Sequence, residues 1–528
     1  MSSTTFTKTN LNNIFNSQEL NTVYPDTFTE NGAPAHSSSG NECLDFFIHT
    51  VRNMDENSLV SLFNSAYTKD VKLAIALLMH LRDARDGKGE KQLTYLALLQ
   101  LRQKNPKVYL ANLLTIVELG YYKDLSNIVE LVYKRKLPFL HDQFPIELVV
   151  FGELLRNEQV KLFTDSNKPF LTLAGKWAPS NNSHFDKRDS GFQAKNLSKF
   201  LFPNSLTQQR DYRKLLSGLR EQLKVVERLM SEGRWSEIEF GKVPSKAHRQ
   251  LRKAFGVRAS ERYQEYLNGL SKGTEKINVK GTQPHELVTH YLNNGMFDQV
   301  IESQWDTLIN KLQQAGSLSK ALAVVDVSGS MNGLPMQVSI ALGLVVSQLT
   351  TPPFTNKCIT FSEQPEWHTV NGNNLQEKVK NLENMSWGYN TNLLAVFTLI
   401  LEQAKSNHLA PERMIETLFI FTDMQFDSGV GVTTLKTMSS EEKSDWNTTH
   451  DTIQQMYNEA GYTMPQIVYW NLRAATPAIP CTKDTSGVAM VSGFSSDLLK
   501  LFMDGTEFTP EFMMMKALAP YLDLVQLE

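Results

Sequence analysis

The residues Ala321-Leu322-Ala323-Val324-Val325 form an unbroken apolar run that ends on Asp326, and no other feature constrains the fold as tightly. A strand with one face in water alternates apolar and polar residues, whereas a strand covered on both faces is apolar throughout. The region after Gly316 repeats this unit with helices between the strands. Met336 to Leu349 reads as an apolar helix, Lys357 to Phe361 as a strand and Leu393 to Ala404 as a helix. Leu418 to Phe421, Ile467 to Trp470 and Val488 to Val491 read as further strands, and Asp497 to Met503 as a helix. Such alternation predicts a doubly wound α/β domain with a parallel sheet. Thr509-Pro510-Glu511 then has the form of a capped helix start, with proline at the first helical position.

The residues before Gly316 follow a different rhythm. From Asn41 onward, leucine, isoleucine, valine and phenylalanine recur at three- and four-residue spacing near 43–53, 56–67, 69–83, 90–102, 105–119 and 122–135. Further helices are expected within 205–230, over 246–255 and over 260–270. Short breaks such as Asp86-Gly87-Lys88-Gly89 suit antiparallel helix pairs, which stack into an α-solenoid. Residues 1–40 are rich in Asn, Ser and Thr and cannot bury enough surface to offset ordering entropy. The expected organisation is a disordered polar tail over 1–40, a helical-repeat domain over 41–315 and an α/β domain over 316–528.

Composition excludes several classes. Among 528 residues, 41% are hydrophobic and 21% charged, the balance of a globular protein. Cys43, Cys358 and Cys481 are few and far apart, so neither a disulfide framework nor a zinc cage is expected. The N-terminus lacks the basic and apolar regions of a signal peptide. The longest apolar stretch, around Val338 to Val346, is too short to span a bilayer. The expected location is therefore cytoplasmic, or inside the virion for a viral protein, with no secretion and no membrane partner. Residues 184–280 carry 21 Lys and Arg against 11 Asp and Glu, so a chain of net charge -3 has a local excess of +10 there. That excess points to a polyanionic partner or to an internal electrostatic interface.

The chemistry sits where the first buried strand ends. In a doubly wound sheet the ligand site lies in the loops at the carboxyl ends of the strands. The first such loop reads Asp326-Val327-Ser328-Gly329-Ser330, a carboxylate and two hydroxyls on alternate residues, with Gly329 expected to permit the turn. Thr391 precedes the helix from Leu393, and Asp423 follows the strand ending at Phe421. These hard oxygen donors suit Mg²⁺, which keeps some water and an open position, or Mn²⁺ or Ca²⁺ in its place. The set resembles the metal ion-dependent adhesion site of the von Willebrand factor A family. That resemblance implies that Ser328, Ser330 and Thr391 ligate directly and that Asp326 and Asp423 act mostly through water. It also implies that the open position takes an acidic side chain of a protein partner.

Other motifs fall short of chemistry. His285 and His290 are five apart, which takes the second ring off the face of the first and removes two-histidine zinc ligation. Pro284-His285-Glu286 reads instead as a helix start. Gly87-Lys88-Gly89 lacks the spacing of a phosphate-binding loop, although Arg82, Arg85 and Lys88 could meet a phosphate. Ser328 and Ser330 are not framed as Gly-x-Ser-x-Gly nucleophiles. With no nucleophile–base pair in view, the chain reads as a binding protein and not an enzyme.

Several strings taken together resemble the family called domain of unknown function 2828. They are Leu81-Arg82-Asp83-Ala84-Arg85-Asp86-Gly87-Lys88-Gly89-Glu90, Ala174-Gly175-Lys176-Trp177-Ala178-Pro179-Ser180, and Gly233-Arg234-Trp235-Ser236-Glu237-Ile238. Val243-Pro244-Ser245-Lys246-Ala247 and Phe421-Thr422-Asp423-Met424-Gln425-Phe426-Asp427 complete the set, so the resemblance runs from about residue 40 to the end. More distantly, the chain is similar to TROVE proteins such as the Ro autoantigen. That likeness implies a TROVE- or HEAT-like helical repeat followed by a von Willebrand A domain, and it implies RNA as a partner. Within the basic segment, Arg249, Arg252, Lys253, Arg258 and Arg262 fall on consecutive helical turns beside Tyr263 and Tyr266. Cations there would neutralise phosphates, and the rings would stack on unpaired bases of single-stranded or structured RNA. The competing expectation is a solvated helix face over core aromatics, in a scaffold that binds only proteins.

Overall fold

The computed structural model describes residues 25–164, 170–361, 364–383, 392–426, 449–474, 478–505 and 508–528. Helices occupy the chain from Glu42 to Ala315, and the main sheet begins at Ala321. That sheet contains β3 (Ala321–Asp326), β4 (Lys357–Phe361), β5 (Trp367–Thr369), β6 (Thr417–Thr422), β7 (Gln466–Asn471) and β8 (Val488–Ser492). Its strand order is β5-β4-β3-β6-β7-β8, parallel throughout except for β5, which runs antiparallel on the edge. All six residues of β3 are buried, as are all of β8 and all but the first residue of β6 and β7. The unbroken apolar runs are thus strands covered on both faces, and the doubly wound fold follows. The short β5 and the helix Leu375–Glu383 carry no such run, and the sequence pattern did not reveal them.

The helical region stacks neighbouring helices along the chain. Glu42–His49 packs on Glu56–Lys69, Gln92–Lys104 on Pro106–Leu119, and Lys123–Lys134 on Ile146–Thr164. Their starts follow ordinary capping chemistry. The side chains of Asn41, Asp55, Asp70 and Asn105 each accept a hydrogen bond from an amide of the first helical turn. Two buried ion pairs cross between helices, Arg82–Asp124 and Arg102–Glu147, both at 2.7 Å. Tyr95 and Tyr109 donate to the same carboxylates at 2.5 and 2.8 Å.

Residues 25–40 depart from the expected disordered tail. They form a small hairpin, β1 (Thr27–Phe28) against β2 (Pro34–Ala35), which continues as a bridge from His36 to Ile479. Composition alone hid this, because the hairpin is held by hydrogen bonds to a distant part of the chain and not by its own apolar surface. Residues 1–24 lie outside the described residues.

The helical and α/β parts share one core. The helix Pro510–Leu522 packs on the helix Val71–Arg82, with the Tyr521 hydroxyl donating to Asp83 at 2.9 Å and the His80 ring between Phe47 and Tyr521. At the centre of the junction lies Lys88, 1% exposed. Its ammonium donates to the carbonyl of Phe47, to that of Thr50 at 3.1 Å, and to Ser492 Oγ at 2.6 Å. The two carbonyls are orphans at the C-terminal end of the helix Glu42–His49, where a positive charge opposes the helix dipole, and Ser492 closes β8. Burial pulls the Lys88 pKa down to about 7, while nearby Glu90 works the other way. Gly87 is required beside it, since a Cβ there would fall 2.2 Å from the carbonyl oxygen of His80. Arg82 and Lys88 are buried and Arg85 donates to the carbonyls of Glu118 and Leu119, so this turn has structural work and no phosphate site. Lys88→Ala is expected to lower the unfolding free energy by about 3 kcal/mol in a urea titration, through lost volume and the loss of the ammonium's buried hydrogen bonds. A loss below about 1 kcal/mol would show that the junction does not depend on this ammonium.

Candidate metal centre

The strand order reverses direction between β3 and β6, and that switch point is where a doubly wound sheet opens a crevice at its carboxyl edge. β3 delivers Asp326 to the crevice, and β6 delivers Thr422 and Asp423. Asp326 and Asp423 are 0% and 1% exposed. Asp326 accepts from the Ser328 amide at 2.9 Å through one carboxylate oxygen and from the Thr422 hydroxyl at 2.7 Å through the other. The Ser328 and Ser330 hydroxyls lie 3.1 Å apart. Asp423 accepts from the Gln425 amide at 3.2 Å across a tight turn whose middle residue, Met424, is left-handed at φ 65°. A non-glycine residue held there costs about 1 kcal/mol or more, and the surrounding contacts must maintain it.

Four of the five expected ligands, Asp326, Ser328, Ser330 and Asp423, therefore meet in one crevice. Thr391 lies outside the described residues, although the helix it precedes is present as Leu393–Ser406, capped by the Asn392 side chain. The turn-forming glycine is not the expected one. Gly329 begins a short 3-10 turn with an ordinary backbone, whereas Gly333 takes φ 89° before the helix Leu334–Leu349.

Two buried carboxylates sharing a crevice repel each other. Burial, and then the charge of Asp423, push the Asp326 pKa up from 3.8 to about 7, against hydrogen bonds from Ser328 and Thr422 that favour the charged form. The donor set is hard oxygen throughout and carries excess negative charge, which fits a small divalent cation. Arg473, two residues beyond β7, is a contact that the motif did not reveal. Its guanidinium donates to the Ser330 carbonyl at 2.9 Å and stands 3.5 Å from Asp423. A cation at the end of the strand next to β6 is readable in the sequence, although it is no part of an oxygen-ligand motif. The N-terminal hairpin also reaches this site. Thr29 Oγ1 donates to the Phe426 carbonyl at 2.6 Å, the Glu30 amide to Gln425 Oε1 at 2.6 Å and Asn31 to the Gln425 carbonyl at 2.8 Å.

The expected RNA-binding residues mostly have internal roles. Arg249 pairs with Glu286 and donates to Gln304 at 2.8 Å, and Arg252 pairs with Asp298 at 2.5 Å. Arg262 donates to the carbonyls of Trp235 and Ile238 and lies over the Phe240 ring. Tyr263 and Tyr266 are buried in a second, smaller core with Phe240 and Phe255. Lys253 and Arg258 remain exposed. Spacing placed these residues near one another correctly, but it could not show that acidic partners from distant helices consume their charge. His285 is buried against Phe494 with its pKa pushed down to about 3 by burial, within a helix that starts at Pro284 as expected. The three cysteines are free and buried.

Comparison with known proteins places the chain. The family model described as domain of unknown function DUF2828 matches residues 29–149 and 140–318. Uncharacterized protein L728 of Acanthamoeba polyphaga mimivirus is 39% identical over 523 residues, covering 94% of this chain and 88% of that relative. The chain belongs to the DUF2828 family. A second model, domain of unknown function DUF7788, matches residues 320–518, so the string from Phe421 to Asp427 falls in that model and the other four in DUF2828. The DUF2828 match begins at residue 29, just after β1, and so takes in the turn and β2 of the N-terminal hairpin. Among solved structures, the Ro protein of Deinococcus radiodurans is 13% identical at a TM-score of 0.30, covering 91% of this chain and 100% of that one. No residue correspondence follows at that level. Among the described residues, no helix is long and apolar enough to cross a membrane.

The carboxylate pair gives a pH signature. A folded pKa raised above the unfolded value means that the folded chain holds the extra proton, so stability falls as pH rises from about 4 to about 7. In the presence of chelator, Asp326→Asn should raise the unfolding free energy at pH 8 by up to about 3 kcal/mol, with the gain shrinking toward pH 4. A pH-independent difference would show that the two carboxylates do not interact.

Proposed function

We propose that this chain is a non-enzymatic binding scaffold whose α/β domain holds one divalent cation, Mg²⁺ ahead of Mn²⁺ or Ca²⁺. Asp326, Ser328, Ser330 and Asp423 would hold it, with Thr391 as the fifth ligand. The observation that carries this reading is the convergence of two fully buried carboxylates and two hydroxyls at the switch point of the sheet. A cation offsets the burial and the repulsion from Asp423 that together raise the Asp326 pKa, and the serine hydroxyls supply neutral ligands without adding charge. An acidic side chain of a partner protein suits the remaining position, because it completes oxygen coordination and meets the Arg473 guanidinium at the rim, 45% exposed.

Binding is favoured over catalysis by the partners of the hydroxyls. Ser328 and Ser330 are paired with each other, and among the described residues neither is hydrogen-bonded to a histidine or lysine that could act as a base. An RNA role through Arg249, Arg252, Lys253, Arg258, Arg262, Tyr263 and Tyr266 has little support, since most of these side chains are committed internally. The alternative of a purely protein-binding scaffold keeps the same cation site.

Mg²⁺ added to the full-length chain should raise its melting temperature, with a stabilisation of about 2.7 kcal/mol at a hundredfold excess over Kd. Asp326→Ala should abolish the shift. An unshifted wild-type protein, or an equal shift in the variant, would contradict the reading.

A further inference from the structure

The turn that carries Asp423 reaches both carboxylates of the crevice. The Gln425 amide donates to Asp423 Oδ1 at 3.2 Å. The Met424 amide donates to the Thr422 hydroxyl at 3.3 Å, and that hydroxyl in turn donates to Asp326 Oδ2 at 2.7 Å. Two successive amides of one turn therefore help to orient Asp326 and Asp423 together. The direction of the Gln425 amide follows from the Met424 backbone, whose φ of 65° is a left-handed conformation that a non-glycine residue leaves unless neighbouring contacts hold it.

Contacts of that kind come from the other end of the chain. Thr29, 6% exposed, donates to the Phe426 carbonyl at 2.6 Å and accepts from the Ala33 amide at 2.9 Å. One hydroxyl thus joins the hairpin's own turn to the far side of the Asp423 turn. The Glu30 amide donates to Gln425 Oε1 at 2.6 Å, and the Asn31 side chain donates to the Gln425 carbonyl at 2.8 Å. Three donors from residues 29–31 therefore hold the side chain and carbonyl of Gln425 and the carbonyl of Phe426. Gln425 is 2% exposed, and the Phe426 ring packs on Phe361 and Tyr469 at 6.0 and 5.5 Å, so these acceptors sit in a well-packed layer. The hairpin is itself anchored at its other end, where His36 and Ile479 exchange amide–carbonyl hydrogen bonds at 2.8 and 3.0 Å.

We infer that the N-terminal hairpin is a positioning element of the cation site, in which Thr29 and Asn31 set the aim of Asp423 and Asp326 through the Met424 turn. The inference rests on the cation reading of the crevice. Groups that orient a metal's ligands by hydrogen bonding govern its affinity without touching the ion. Thr29 and Asn31 act one step further out, because they fix the backbone whose amides hold the two carboxylates. The coupling is reciprocal: a docked hairpin that favours the bound cation must itself be favoured by that cation to the same extent. Anything that draws residues 29–31 off the turn then loosens the cation.

The test is isothermal titration of Mn²⁺ into full-length variants. Thr29→Val keeps the shape of the side chain and removes the hydroxyl, and Asn31→Ala removes the amide donor. The chain carrying both should bind Mn²⁺ about tenfold more weakly than the wild type. Thr29→Ser, which keeps the hydroxyl, should bind as the wild type does. Circular dichroism melting in chelator separates positioning from folding, since a purely structural hairpin would lower the melting temperature and leave the Mn²⁺ affinity alone. Hydrogen exchange of the wild type gives a second measurement that needs no hairpin variant. Saturating Mg²⁺ should slow exchange at the amides of Glu30, Ala33 and His36, and should not do so in Asp326→Ala. A folded double variant that binds Mn²⁺ as tightly as the wild type would overturn this inference and leave the cation reading standing. Hairpin exchange that is indifferent to Mg²⁺ in a chain that binds it would do the same, as would Thr29→Ser binding as weakly as the double variant. A wild-type chain that binds no Mn²⁺ would overturn both.

Discussion

Strands β3, β6, β7 and β8 are buried on both faces, and that constraint decides where polar chemistry can appear in the α/β domain. A side chain within such a strand meets only the core, so a charged group becomes useful only at the carboxyl end, where the backbone leaves the sheet. Asp326, Asp423 and Arg473 all occupy that edge, the last two in the loops after β6 and β7. The sheet order then brings β3 and β6 side by side and forces their two carboxylates into one crevice. The repulsion between them is a consequence of the fold, and a cation is the simplest way to relieve it.

The same edge is tied to the rest of the molecule. Lys88 links the end of β8 to the C-terminal end of the helix Glu42–His49, and Asn471 at the end of β7 donates to the Ile48 carbonyl at 3.3 Å. The N-terminal hairpin is pinned on the turn that carries Asp423. Helical and α/β parts therefore share a junction on the side of the sheet where the candidate site lies, and the left-handed Met424 sits in the turn that the hairpin pins.

Much of this was legible from sequence because it rests on local patterns. Apolar runs marked the central strands to within a residue or two, and Asp326, Ser328, Ser330 and Asp423 were placed by being at strand ends. What stayed hidden depends on long-range partners. The hairpin over residues 25–40 is stabilised by hydrogen bonds to Gln425, Phe426 and Ile479, which no local composition can report. The basic helix 245–258 was read as a free cationic face, yet Glu286 and Asp298 arrive from later helices to neutralise it. Edge strand β5 escaped notice because three residues at a sheet edge carry too little apolar signal.

The central claim is that Asp326 and Asp423 share a divalent cation. Electron paramagnetic resonance of Mn²⁺ titrated into the full-length chain measures this directly, because bound Mn²⁺ loses the sharp signal of the free ion. The account predicts one tight site per chain, displaced by excess Mg²⁺ and missing in Asp326→Asn. A titration in which the free-ion signal grows linearly from the first addition would contradict it.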